Sequence, residues 1–167
     1  MKLKSVKLRN FKGIEDLMFP FDGKSTILFG VNGVGKSTIL RAIDLIYANI
    51  ISRLMSSNKK LAQLEYDDIS YGKSRATIDV IFSFEDGTEM EYSRIIDRAK
   101  TRTYDLKKLK SLTEKFETSY LVKGHDDGHG NWIEEEDNKN MPVFVNYGVN
   151  RLVLDVPLRV SNKEQFT

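Results

Sequence analysis

The sequence has no cysteine, only three prolines, one tryptophan and no long apolar run. Without cysteine the chain cannot form a disulfide bond, a thiolate metal site or a cysteine nucleophile, which fits a reducing compartment. No stretch of about eighteen residues is apolar throughout, and the basic N-terminal stretch lacks the apolar centre of a signal peptide. These absences predict a cytoplasmic protein with no membrane partner.

A large charge of one sign is also missing, because 26 basic residues stand against 24 acidic ones and leave a formal net charge of +2. Dedicated nucleic-acid or membrane-surface binders typically carry a stronger single-sign field. The 167 residues are 40% hydrophobic and 30% charged. They are enough for one domain with a real core, or for one domain plus an insertion.

Residues 1–55 are predicted to form strands followed by one long helix. Val6 and Leu8 alternate with basic residues, so we expect two strands in the first part, broken near the letters KGIED. The run STILF ends at a glycine and is almost wholly apolar. It predicts a third strand, buried on both faces of a parallel or mixed sheet.

The helix is expected from Ser37 onward because apolar residues recur there at spacings of three and four. Its predicted core face consists of Ile39, Ile43, Ile46, Ile50 and Leu54. Its predicted outer face consists of Arg41, Asp44, Ala48 and Ser52.

Residues 76–97 predict an antiparallel hairpin, since two alternating runs flank a Glu-Asp-Gly turn. Ile78, Val80 and Phe82 would share one face of it. Residues 99–140 predict a charged insertion, weakly helical at first and then a polar, glycine-containing loop that we expect to be mobile. Residues 141–167 resume strand character and predict a returning strand.

The stretch between the buried run and the helix matches a phosphate-binding loop: Gly30, four residues, then Gly35, Lys36 and Ser37. Glycines allow positive φ and bring backbone N–H groups close to phosphate oxygens, and the helix start adds more N–H groups. Lys36 would act on the β and γ phosphates, and the Ser37 hydroxyl would ligate Mg²⁺. The predicted nucleotide-binding set is Gly30, Asn32, Gly33, Val34, Gly35, Lys36, Ser37 and Thr38.

The loop alone does not separate kinases, GTPases and ATPases. The letters LRNFKGIEDLMFPF, followed by STILFGVNGVGKSTILRAIDLIY, resemble the N-terminus of SMC/RecF-like ABC ATPases, including the Asn-Gly pair in the loop. The hairpin is similar to the antiparallel subdomain that follows the loop helix in that family. The run VFVNYGVNRLVLDVPLR resembles a segment of anti-phage defence ATPases of the retron and Septu kind.

The resemblance implies an α/β fold: a P-loop NTPase lobe of the ABC ATPase kind, with a mixed sheet, a long P-loop helix and an antiparallel hairpin. It implies ATP and Mg²⁺ as cofactors and places Asn10, Phe11 and Lys12 along the nucleotide, with Lys12 as a phosphate contact. The glutamine loop of the family has no clear match, because Gln63 lies on or just after the predicted helix and Gln165 lies near the end of the sequence. Asn146 or Asn150 could occupy its place.

In that family ATP is sandwiched between two heads, and later parts of the chain supply a signature motif and a carboxylate pair. Neither an LSGG-like stretch nor an apolar run ending in Asp-Glu occurs in this sequence. Residues 1–167 are therefore predicted to be the N-terminal lobe of the head, with the rest of the ATPase missing and hydrolysis dependent on it. A second copy of the protein, DNA, and a nuclease or other effector are the partners that this implies.

Two other functions remain open. A complete small-molecule P-loop kinase would use Asp155 for Mg²⁺ and Arg94, Arg98 and Arg102 as a lid, although these arginines also fit a solvated or DNA-facing edge. A nucleotide-gated interaction module would have no chemistry of its own.

Overall fold

A computed structural model describes residues 1–21, 25–54, 63–99, 105–120, 124–126, 128–130, 132–134, 142, 144 and 145. Its strands are β1 (Lys2–Phe11), β2 (Ile14–Pro20), β3 (Arg75–Ser83), β4 (Glu89–Asp97), β5 (Gly124–Asp126) and β6 (Trp132–Glu134). Its helices are α1 (Lys36–Leu54), a short 3₁₀ segment (Tyr66–Asp68) and α2 (Leu106–Tyr120).

Strand β1 lies inside a four-stranded sheet with the order β2, β1, β3, β4. All three pairings in this sheet are antiparallel. The two N-terminal strands and the later hairpin are therefore confirmed, and they share one sheet because β1 pairs with both β2 and β3. The hairpin closes through Gly87 at φ 82°, and the Phe84 N–H donates to the Thr88 carbonyl at 2.9 Å.

One face of the sheet is apolar and the other is charged. Val6 lies opposite Val80, which lies opposite Tyr92, and all three side chains are buried. On the opposite face Arg9 pairs with Asp79 at 3.1 Å across β1 and β3. This alternation follows from the period of two, and it leaves a single face for helices to cover.

Both helices pack against the apolar face, because α1 contacts β1 and α2, and α2 contacts β4. The predicted amphipathic helix is confirmed, although Ala48 is buried and the expectation that it lies on the outer face is wrong. Because α1 packs against both β1 and α2, a wider stripe of its surface is buried than one partner would cover. The buried residues of α2 are Leu109, Leu112, Thr113, Phe116 and Tyr120.

The run STILF is not a buried strand among the residues that the structure describes, which corrects the sequence prediction. Residues 25–30 belong to no strand there, and the Ile27 and Phe29 side chains are 83% and 90% exposed. An apolar run indicates a tendency to be buried, but burial also requires a neighbouring strand to supply hydrogen bonds and packing.

The predicted loop after α2 also differs from expectation, because β5 and β6 pair there as a two-stranded antiparallel sheet. Arg94 differs as well: it is buried, and its Nη1 donates to the Leu45 carbonyl of α1 at 3.2 Å, so it lies on no solvated or DNA-facing edge. Arg102, Asn146, Asn150 and Asp155 lie outside the described residues, as does most of the predicted returning strand.

Neither of the helices in the described part of the chain is at once long and apolar enough to cross a bilayer.

We expect Leu45→Ala to lower the free energy of unfolding by about 2–5 kcal/mol, because Leu45 is fully buried on α1 and its loss leaves a cavity. Leu40→Ala is the matched control on the same helix, where the side chain is 54% exposed, and should change the value by no more than about 0.5 kcal/mol. Urea denaturation measures both. Equal losses would contradict the described packing of α1.

Candidate functional site

Three glycines give the loop before α1 its shape. Gly30, Gly33 and Gly35 have φ values of 146°, 89° and 92°, all in the region that residues with a Cβ rarely adopt. A loop with such backbone can turn successive N–H groups toward one point, which is the geometry of an anion-binding nest. The backbone of residues 30–35 is therefore compatible with a phosphate-binding loop, and the binding of phosphate by these residues stays a prediction.

Gly35 also meets a close neighbour from the N-terminal strands. A Cβ built on Gly35 lies 3.2 Å from the Cδ1 atom of Ile14, the first residue of β2. The loop is thus packed against the start of β2, and a side chain at position 35 would strain the backbone at its positive φ and require Ile14 to shift by a few tenths of an ångström.

Helix α1 begins at Lys36, so the backbone N–H groups of Lys36, Ser37 and Thr38 lie in its first turn. These groups have no partners within the helix, and the positive end of the helix dipole lies at the same place. The first turn contains no acidic residue that would occupy or neutralise it. The Ser37 side chain is exposed there, and the turn is open to an anion.

The Lys36 ammonium group lies across the loop. Its Nζ donates to the Gly30 carbonyl at 2.8 Å and to the Val31 carbonyl at 2.7 Å. An ammonium group has three donors, so two of them are engaged by the loop backbone and one remains for a further acceptor. The cation is thereby held beside the nest.

Lys12 lies in the tight turn between β1 and β2. Lys12 and Gly13 have φ values of 44° and 85°, which is the two-residue type I′ arrangement. A left-handed lysine costs about 1–2 kcal/mol relative to a residue that tolerates this region, such as glycine. Lys12 is only two residues before Ile14, which contacts Gly35, so the turn is adjacent to the phosphate-binding loop.

Asp68, at the end of the 3₁₀ segment, contacts this turn twice. Its Oδ1 atom lies 2.9 Å from the Lys12 Nζ, and its backbone carbonyl accepts the Lys12 N–H at 2.9 Å. Ser70 adds two further contacts: its Oγ accepts the Gly13 N–H at 3.0 Å, and its N–H donates to the Asn10 carbonyl at 2.8 Å. The segment after α1 therefore fixes the position of the turn.

Asp68 and Ser70 belong to none of the motifs found in the sequence. They lie in the polar run YDDISYGKS between α1 and the hairpin. The available signal is a pair of adjacent aspartates, Asp67 and Asp68, followed by an apolar residue, but nothing local distinguishes a buried aspartate from an exposed one. Gln63 lies apart from these contacts, and its carbonyl accepts from Arg41 Nη2 at 3.2 Å.

A family model described as an AAA domain matches residues 5–166. The chain is 29% identical to the Retron Ec83 probable ATPase of Escherichia coli over 176 residues, which cover 99% of the chain and 29% of that protein. It is 36% identical to the OLD nuclease of Thermus scotoductus over 50% of the chain and 14% of that protein. It is 38% identical to the DNA replication and repair protein RecF of a Synechococcus species over 39% of the chain and 17% of that protein.

The chain thus spans less than a third of the length of these curated relatives. Among solved structures, an SMC head bound to the C-winged helix domain of ScpA superposes with a TM-score of 0.51 and 21% identity, over 68% of the chain and 39% of that structure. This superposition shows the fold, and the matched family covers nearly the whole sequence. The chain therefore belongs to the family described as an AAA domain. Within it, the chain is of the SMC/RecF-like kind of ABC-type P-loop ATPase.

Proposed function

We propose that this chain is the ATP-binding lobe of an SMC/RecF-like ATPase that acts in DNA repair or anti-phage defence. It binds Mg²⁺ and ATP through the phosphate-binding loop, with Lys36 acting on the transferred phosphate. Hydrolysis requires a complementary lobe and a second head that closes over the nucleotide.

The observation that carries the proposal is the nest of Gly30, Gly33 and Gly35 at the start of α1, with the Lys36 ammonium held at its edge. Backbone N–H groups, a helix N-terminus and a lysine are the groups that stabilise a triphosphate without any covalent chemistry by the protein. When ATP binds, its phosphate oxygens replace the Gly30 and Val31 carbonyls as acceptors of the Lys36 ammonium.

The first turn of α1 fits a magnesium nucleotide. It offers the exposed Ser37 hydroxyl as an oxygen ligand and contains no acidic residue that would repel the phosphate groups. When bound with ATP, Mg²⁺ neutralises charge on the phosphate oxygens. The N–H groups of the loop and the Lys36 ammonium would orient the triphosphate and stabilise the charge that develops on it.

A complementary lobe is supported by the exposed apolar run that leads into the loop. Ile27 and Phe29 are 83% and 90% exposed, and burying two such side chains is worth about 1.5–3 kcal/mol each. A strand placed beside residues 25–30 would bury them and would also fix the loop from its N-terminal side. Such a lobe would also supply the missing carboxylate pair.

The biological role rests on the relatives. Their names associate them with a retron ATPase, a nuclease, and DNA replication and repair. That association supports our proposal of DNA as a partner, of an associated nuclease or other effector, and of a cytoplasmic location. The kinase alternative loses support, because Arg94 is buried against α1 and cannot belong to a mobile arginine lid.

We expect Lys36→Ala to weaken the binding of Mg·ATP by about 1.5–3 kcal/mol, the range for a lost charge-assisted hydrogen bond, or about tenfold to 150-fold in affinity. Isothermal titration calorimetry measures it. Lys4→Ala removes the same charge from an exposed position on β1 and serves as the control. If both variants bound Mg·ATP as tightly as the unmodified protein, the assignment of the phosphate-binding loop would fail.

Gly35→Ala should lower ATP affinity by about tenfold or more, because its Cβ would combine a left-handed φ with a contact at 3.2 Å from Ile14. Gly87→Ala is the matched control: it has a similar φ of 82° in the β3–β4 turn, with no atom within 4 Å of the added Cβ. It should cost about 1–2 kcal/mol of stability and leave ATP affinity unchanged. Equal ATP affinity in the two variants would contradict the packed loop.

The chain alone should hydrolyse ATP at close to the background rate, because nothing in it matches the signature motif or the Asp-Glu pair. Addition of the complementary lobe should restore turnover with a rate that rises with protein concentration, since composite sites form only between two heads. Steady-state ATPase rates across a concentration series test this. Concentration-independent turnover by the chain alone, abolished by Lys36→Ala, would mean that these residues contain a complete site.

A further inference from the structure

We propose that Asp68 is a positioning residue for nucleotide binding: its buried carboxylate holds the Lys12 ammonium in place for the triphosphate. The proposal rests on the proposed function, because it concerns the same ATP site. It assigns a role to a segment between α1 and β3 that contains none of the phosphate-loop residues.

The Asp68 carboxylate is almost completely enclosed, with 3% of its side chain exposed. One oxygen, Oδ1, lies 2.9 Å from the Lys12 Nζ. The other, Oδ2, accepts the Glu65 N–H at 2.9 Å. Since both oxygens are occupied and the backbone carbonyl of Asp68 accepts the Lys12 N–H, the carboxylate has a defined orientation.

Lys12 is held at one end and open at the other. Its side chain is 40% exposed, and an ammonium group that donates once to Asp68 keeps two donors for other acceptors. The pair with Asp68 already removes much of the rotational freedom that a free lysine side chain would otherwise lose on binding a ligand. Phosphate oxygens can therefore meet a cation that is already ordered.

The Lys12–Asp68 ion pair lies near the phosphate-binding loop because the turn that contains Lys12 leads directly into Ile14, which packs against Gly35. Ile14 follows Lys12 by two residues, and its Cδ1 atom lies 3.2 Å from the position that a Cβ on Gly35 would occupy. Ser70, two residues after Asp68, fixes the same turn through Gly13 and Asn10. The turn cannot move away from the loop without breaking these contacts, so Asp68, Lys12 and the loop form one frame.

This geometry makes the two charges interdependent. Removal of Asp68 leaves Lys12 charged but unordered, whereas removal of Lys12 leaves a buried carboxylate without its cation beside an anionic ligand, and a buried unpaired charge is costly. The effect of changing Asp68 on ATP binding should therefore depend on whether Lys12 is present.

The test is a double-mutant cycle in ATP affinity, measured by calorimetry with Mg·ATP on the whole chain. Asp68→Asn should lower the affinity about threefold to tenfold in the unmodified background. In the Lys12→Asn background the same change should leave the affinity unchanged or raise it. Asparagine is chosen at position 12 because it tolerates the left-handed turn. Asp67→Asn, the same charge change at the adjacent exposed residue, should have no effect in either background.

A merely structural role for Asp68 predicts the same loss in both backgrounds, and that result would overturn the proposal. An unchanged or increased affinity for Asp68→Asn in the unmodified background would overturn it too. If Asp68→Asn does not fold, Asp68→Glu, which displaces the carboxylate by one methylene, replaces it in both backgrounds with the same criteria. Failure of the proposed function is distinct, because then the unmodified chain does not bind Mg·ATP or Lys36→Ala binds it equally well.

Discussion

The pairing of β1 along both of its edges is the constraint on which the site depends. Its pairing with β2 fixes the turn at Lys12 and places Ile14 against Gly35. Its pairing with β3 joins it to a hairpin that lies about seventy residues later in the sequence. A bridge between Phe11, the last residue of β1, and Ile69 ties the segment before β3 to the same strand. The phosphate-binding loop meets this arrangement where Gly35 lies against Ile14 at the start of β2.

The two cations of the proposed ATP site are held by different means. Lys36 rests on neutral carbonyls, which an anion replaces at little electrostatic cost, whereas Lys12 is paired with a buried carboxylate that neutralises it. The first contributes a charge that is available in full to a ligand, and the second contributes an ordered donor with little net charge. Together they combine attraction with geometric selectivity, and the acid-free first turn of α1 adds to the attraction.

Local patterns in the sequence predicted much of this site, because the spacing of Gly30, Gly35 and Lys36 is a property of the chain itself. Alternation likewise predicted β1, β3 and β4. The role of Asp68 was out of reach, since it depends on a contact across more than fifty residues. The buried-strand prediction for STILF was wrong for a related reason, because apolar side chains indicate a need for burial and not the presence of the strand that provides it.

The exposed side chains of Ile27 and Phe29 have a practical consequence for handling the protein. A β-branched and an aromatic side chain exposed this close together form an apolar surface patch. Exposed apolar patches promote aggregation. Self-association through this patch would be driven by burial of apolar surface, so it would persist at high salt, unlike contacts between charged surfaces. Light scattering at several salt concentrations, with and without ATP, therefore distinguishes such aggregation from nucleotide-dependent assembly.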